Sequence, residues 1–264
     1  MESDKPGQIP SFKVHISADL DDFARNSANF FLEVVNKPEE GQRQLLVALS
    51  GGSTPYPVYS LLSKPPYREQ IPWEKMHIFW VDERMVAAGH EENNYHQANM
   101  HLLSLVPLQK KNIHRIKSEQ PACQAARQYA SLLSHFAPPG KTLPVFDFIF
   151  LGLGEDGHTA SLFPGKYQAD EMEHPVIAVS GDYQGRPAKR VTFTPALINA
   201  ARHICFLVHG KEKAEAVKNA IQGIVNPLQY PAQRITAGSG AVVWMLDQDA
   251  ASGLDRSRTR DFTP

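Results

Sequence analysis

Short apolar runs alternating with longer amphipathic stretches constrain this chain more than any other feature of its sequence. Lys13–Ser17, Leu45–Leu49, His203–Val208 and the segments 76–81, 146–151, 176–179, 191–194 and 242–246 read as strands. A strand that is apolar throughout has to be covered on both faces, and such strands belong to mostly parallel sheets. Between them, Leu20, Phe23, Ala24, Ala28, Phe31, Val34 and Val35 recur at helical spacing, and helices are expected at 93–103, 120–136 and 211–222. The pattern predicts an α/β fold: an open, mostly parallel, Rossmann-like sheet with helices on both faces.

No repeat or low-complexity linker divides the 264 residues. One domain over 12–254 is expected, with flexible tails at 1–11 and 255–264 and a surface loop at 180–190. Basic and acidic side chains number 27 and 28, so no global field draws the chain to nucleic acid or to an anionic membrane. Residues 1–10 carry no apolar core of signal-peptide length, and no run is long enough to span a membrane. The two cysteines, Cys123 and Cys205, read as reduced and buried, and the compartment as cytoplasmic.

Ligands of such sheets gather beyond the carboxyl ends of the strands. Four segments directly follow an apolar run: 50–55, 82–84, 152–159 and 209–213. They are expected to form one composite site. In Ser50-Gly51-Gly52-Ser53-Thr54-Pro55 the glycines allow a sharp turn, and free amides of Gly51, Gly52 and Ser53 ahead of a helix suit an anion. Alone, this motif would equally suit a capped strand-to-helix turn. It lacks the Gly-Lys-Ser/Thr of a Walker loop.

Gly152-Leu153-Gly154-Glu155-Asp156-Gly157 has the spacing of a dinucleotide fingerprint. Two carboxylates beside a pyrophosphate are unfavourable, however, and Pro164 stops a long helix from following. His158 and Asp156 fit another chemistry. An imidazole exchanges protons near neutrality, and a nearby carboxylate fixes its tautomer and supports the imidazolium. At the second apolar run, Asp82 and Glu83 are expected to position the Arg84 guanidinium as a forked anion donor. Arg190 opens a later strand, and Lys213 sits in the first turn of a helix, where a cation gains from an anionic ligand. No His-Glu-x-x-His or paired-Cys spacing predicts a metal, and no Gly-x-Ser-x-Gly predicts a serine nucleophile.

These motifs, taken in order, resemble the 6-phosphogluconolactonase family. The resemblance runs from Leu49–Pro55 through Trp80–Val86, Glu92–Tyr95, Phe146-Asp147 and Gly152–Pro164. It continues with Arg190–Thr194, Gly210–Ala214 and Trp244–Asp247. It implies hydrolysis of 6-phospho-D-glucono-1,5-lactone in the oxidative pentose phosphate pathway, with a small sugar-phosphate lactone as ligand and no cofactor. It also implies that His158 is the base and that Arg84 helps hold substrate. The related deaminases are similar around Asp-Gly-His but carry a glutamate five residues after that histidine, where this chain has Phe163, and tyrosine where it has Arg84. Among the basic residues Arg84 is the first expected substrate ligand, followed by Arg190 and Lys213, which match motif positions, and the exact phosphate ligands stay open among these three, Arg186 and Lys189.

Overall fold

The computed structural model describes residues 12–37, 44–165, 167, 172–238 and 240–259. The strands among the described residues are β1 Lys13–Ser17, β2 Leu45–Leu49, β3 Met76–Trp80, β4 Asp82–Arg84, β5 Phe148–Leu151, β6 Val176–Ser180, β7 Lys189–Phe193, β8 His203–Val208 and β9 Ala241–Asp247. The helices among the described residues are α1 Leu20–Val35, α2 Tyr56–Leu62, α3 Tyr67–Gln70, α4 Asn94–His101, α5 Ala122–Ser134, α6 Pro195–Asn199 and α7 Ala214–Gln222.

Six strands form one sheet in the order β1-β9-β8-β5-β2-β3, with every neighbouring pair parallel. All residues of β2 and β5 are buried. Since successive side chains point to opposite faces, both faces of the sheet are covered, as the continuous apolar runs predict. On one side Phe30 and Phe31 of α1 pack against Phe148, with ring centroids 5.4 and 5.1 Å apart.

The remaining strands differ from the single-sheet expectation. β4, β7 and β6 make a separate antiparallel sheet. β3 runs through Val81 straight into β4, and Val81 ties the sheets: its N–H donates to Leu49 O (3.0 Å) and its carbonyl accepts from Phe193 N (2.7 Å). The charged triplet Asp82-Glu83-Arg84 gives no apolar alternation to mark it as a strand, so only its pairing partners reveal it.

Three local readings also change. Residues 211–213 form a 3-10 turn before α7, so Lys213 is that helix's N-cap. Pro55, a residue type that suits the first turn of a helix, is instead the N-cap of α2. Cys205 is buried in β8 as expected, but Cys123 is exposed, because it lies on the outward side of α5. In the segment expected as a C-terminal tail, Asp255 exchanges two hydrogen bonds with Gln222 (2.7 and 2.9 Å) and caps a turn over Arg256–Arg258. Residues 260–264 of that segment and the N-terminal one lie outside the described residues. Among the described residues no helix is long and apolar enough to cross a membrane.

Candidate active site

The chain leaves β2 on one side to make β3 and later returns to β2's other side as β5. Such a reversal opens a crevice beyond the carboxyl ends of the two strands. A cavity of about 220 Å³ lies there. Residues 50–54 after β2, Asp82 and Arg84 of β4, 152–155 and His158 after β5, and His209, Glu212 and Lys213 after β8 all line it. The four predicted segments therefore do converge. The loop between β6 and β7 adds Tyr183, Gln184 and Arg186.

At one end stands His158. Its Nδ1 lies 2.6 Å from Asp156 Oδ1, which also accepts the His158 backbone N–H at 3.1 Å. Burial works against ionising Asp156, but its hydrogen bonds and attraction to His158 outweigh that, and the carboxyl lies below its ordinary range. An ionised carboxylate only accepts, so Nδ1 carries a proton, and in the neutral imidazole the lone pair is then on Nε2. The imidazole is 11% exposed. The turn is built around this pair: a Cβ on Gly154 would overlap both the His158 ring and the Asp156 carboxylate. Gly157 takes φ +85°, a left-handed conformation that favours glycine, with Tyr230 packed against it. The amides of Gly154, Glu155, Gly157 and His158 are all used within the protein.

Across the crevice the Gly51–Ser53 turn is less committed. Gly52 has φ +88°, and the amides of Gly51, Gly52 and Ser53 have no hydrogen-bond partner among the described residues. A Cβ on Gly51 would overlap the side-chain amide of Asn94, whose Nδ2 donates to Asp82 O (2.9 Å) and Oδ1 (3.3 Å).

The other end is cationic. Arg84 of β4 and Arg190 of β7 are directly opposed in the antiparallel register, and both are buried. Like charges in that arrangement repel unless an anion joins them. Glu92 supplies part of the compensation. Its Oε2 accepts from Arg84 Nη1 (3.1 Å) and Arg186 Nη1 (3.4 Å), and its carbonyl accepts from Arg84 Nη1 (2.9 Å). Two guanidinium nitrogens, Arg84 Nε and Arg190 Nη2, remain buried without a partner. Burial pulls the Arg190 pKa below its usual value, Asp82 working against the shift and Arg84 with it. Unmet donors at a like-charge pair favour a neighbouring anion.

The acids flanking Arg84 do not hold its guanidinium as the sequence suggests. Glu83 instead accepts three backbone N–H groups, from Arg84, Asn94 and Tyr95 (2.7–2.9 Å), fastening α4 to β4. Burial pushes its carboxyl up to about 8, against the pull of those donors. Asp82 accepts from Ser161 Oγ at 2.7 Å. Lys213 reaches the cavity near Glu155, with Nζ to Oε1 3.8 Å, and burial lowers its pKa. Arg186 lines the cavity, whereas Lys189, its neighbour in the open list of ligands, is exposed outside it.

Residues 18–244 match the family described as glucosamine-6-phosphate isomerases/6-phosphogluconolactonase. The chain belongs to this family. A 6-phosphogluconolactonase of Synechocystis sp. is 40% identical over 210 residues, covering 79% of this chain and 84% of that one. The enzyme of the same name from Aggregatibacter actinomycetemcomitans is 38% identical over 208 residues, covering 79% and 87%. The solved 6-phosphogluconolactonase of Trypanosoma brucei superimposes with a TM-score of 0.80 at 28% identity, covering 93% and 99%.

Within this family the position that separates the two branches in the sequence reading is Phe163. Its ring lies 5.0 Å from the His158 ring, under the Arg190 guanidinium at 5.4 Å. A residue that touches both ends of the cavity is therefore apolar here and moves no proton. Sequence reasoning missed Glu92 as the arginines' counter-ion, although it opens the quoted Glu-Asn-Asn-Tyr motif. It missed Tyr183 and Gln184 altogether, since a loop without periodicity carries no sign of what it covers.

Proposed function

We propose that this chain hydrolyses 6-phospho-D-glucono-1,5-lactone to 6-phospho-D-gluconate, with His158 activating the water. The observation that carries this reading is an imidazole with Nδ1 held by a carboxylate, sharing a cavity with a buried arginine pair that has unmet donors. Nε2 of His158 takes a proton from water as the water oxygen bonds to the lactone carbonyl carbon. Collapse of the tetrahedral intermediate breaks the bond to the ring oxygen, and the imidazolium returns its proton there. Asp156 holds the tautomer and supports the transient cation. Such acid–base help is worth roughly 10²–10⁴-fold.

Arg84 and Arg190, which both line the cavity, bind the phosphate, with Lys213 as a further cation there. The unpaired amides of Gly51, Gly52 and Ser53 serve the substrate's developing or resident negative oxygen. The amides of the His158 turn are already occupied, which favours the Gly51–Ser53 side. Phosphate binding remote from the reacting carbon orients the lactone and selects against unphosphorylated analogues.

The test is hydrolysis of freshly generated 6-phosphogluconolactone above its spontaneous rate, with glucosamine 6-phosphate as control. Lactone opening with no ammonia release is expected. Ammonia release exceeding lactone opening would replace this reading with a deaminase.

A further inference from the structure

The His158–Asp156 hydrogen bond joins two residues of one short turn, so it fixes them to each other without fixing the pair to the rest of the molecule. The turn contains Gly154 and Gly157, the latter at φ +85°. Contacts from outside the turn are what place the pair. Ala232 N–H donates to Gly157 O at 3.2 Å on the side where Tyr230 packs. On the cavity side Phe163, Gln184 and Lys213 reach the turn, and so does Tyr183. Its ring centroid is 4.5 Å from that of His158 with the planes at 76°, and its phenol oxygen accepts the Glu155 N–H at 3.2 Å.

Tyr183 is itself firmly placed. It packs against a small apolar cluster of Phe163, Ile177 and Val179, apart from the main core. Gly181 allows the hairpin to lie on Phe163, because a Cβ there would overlap that ring. At the hairpin tip Gln184 and Gly185 take φ +52° and +67°. A left-handed glutamine is uncommon and costs energy. Its side chain offsets this by donating to Glu155 Oε1 at 3.0 Å. At the far end of the loop Arg186 reaches Glu92. The loop therefore straps the cavity from the catalytic turn to the arginines.

We propose that Tyr183 is a positioning residue for His158, its ring holding the imidazole plane while its oxygen anchors the Glu155 end of the turn. The proposal rests on His158 being the base. Tyr183 and Phe163 meet the imidazole at different tilts, 76° and 40°, and together with Asp156 leave the ring one orientation. The phenol keeps its proton, since burial raises its pKa, the Glu155 N–H working against the shift and nearby carboxylates with it. Its oxygen therefore acts toward Glu155 as an acceptor. Positioned groups tolerate little displacement: an error of about 1 Å can cost on the order of 10²-fold in rate.

The full chain with Tyr183→Leu tests this, beside Tyr183→Phe, Gln184→Ala and His158→Ala. Leucine at 183 is expected to lower kcat roughly 10- to 100-fold with little change in KM. The downfield proton resonance of the His158 Nδ1–H should broaden or vanish. Phenylalanine keeps the ring and should recover most of both the rate and the resonance. If the leucine variant does not fold, Gln184→Ala, which removes one tie to Glu155, should lower kcat several-fold and broaden the same resonance. The proposal is overturned by wild-type kcat in Tyr183→Leu, by an unaltered resonance in a slowed variant, or by a phenylalanine variant as slow as the leucine one. If Leu does not fold, unchanged kcat and resonance in Gln184→Ala overturn it equally. Full activity in His158→Ala is a different failure: it removes the base assignment on which this inference stands.

Discussion

Gly154, Asp156, His158 and Phe163 come from one stretch of ten residues, whereas Arg84, Glu92, Arg186 and Arg190 come from distant segments joined by a second sheet. The first group is organised locally. Gly154 is bare because the dyad occupies its Cβ position, and the dyad's hydrogen bond spans two residues. The second group is organised by register: β4 opposes β7 so that Arg84 meets Arg190. The chemical end is thus complete in itself and internally satisfied. The cationic end holds like charges together with buried donors left over. On the proposed reading the first end reacts and the second binds.

If that division holds, variants at the two ends should fail in different kinetic constants. The largest effect is expected from His158→Ala, with kcat reduced roughly 10²–10⁴-fold and KM nearly unchanged. Steady-state hydrolysis corrected for the spontaneous reaction measures this, and a rise in KM instead would erase the distinction between the ends.

Arg190→Gln should act mainly on KM for the phosphorylated lactone. Losing a charged hydrogen-bond donor costs about 1.5–3 kcal/mol, or roughly 10- to 100-fold in affinity. Competition by 6-phosphogluconate, followed by titration calorimetry, should show the same weakening. A loss confined to kcat would place Arg190 in the chemistry.

Gly154→Ala sharpens the comparison by its effect on folding. A methyl group there meets the dyad itself, and overpacking of this kind costs about 1–3 kcal/mol. A lowered thermal midpoint together with lost activity is expected. Gly52→Ala offers the contrast, since nothing lies within 4 Å of its added methyl and only its φ of +88° opposes the change.

The smallest effect concerns pH. Asp156 has a folded pKa below its unfolded value, so its stabilisation is present above the ordinary carboxylate range and is lost as pH falls through the lower folded value. The thermal midpoints of the wild type and Asp156→Asn should differ most near neutrality and converge below about pH 4. With a third of its side chain in solvent, Asp156 contributes only modestly. A gap that stayed constant with pH would show that the carboxylate's charge plays no part.

Much of this arrangement can be read in advance, and the parts that cannot are instructive. The expected limits of β1, β2 and β8 coincide with the observed ones, and in β2 and β8 an apolar run covered on both faces has little freedom to shift. The expected helix over 120–136 shortens to Ala122–Ser134, its N-cap being Pro121. β4 was hidden because three charged residues carry no hydrophobic period. Tyr183 was hidden because the turn it meets lies far away in the chain, and Glu92 because one of its two arginines, Arg186, does.

The sequence by itself determined the parallel sheet, the emergence of four polar segments at its carboxyl edge, and the local pairing of His158 with Asp156. Those follow from apolar continuity and from contacts between residues a few positions apart. Only the tertiary structure decided which cations share the cavity. Lys189 and Arg190 are adjacent in β7, yet Lys189 is exposed and Arg190 is buried beside Arg84. Side chains alternate faces along a strand, so the register with β4 selects one and turns the other to water. That selection depends on pairing across more than a hundred residues, which no local pattern records.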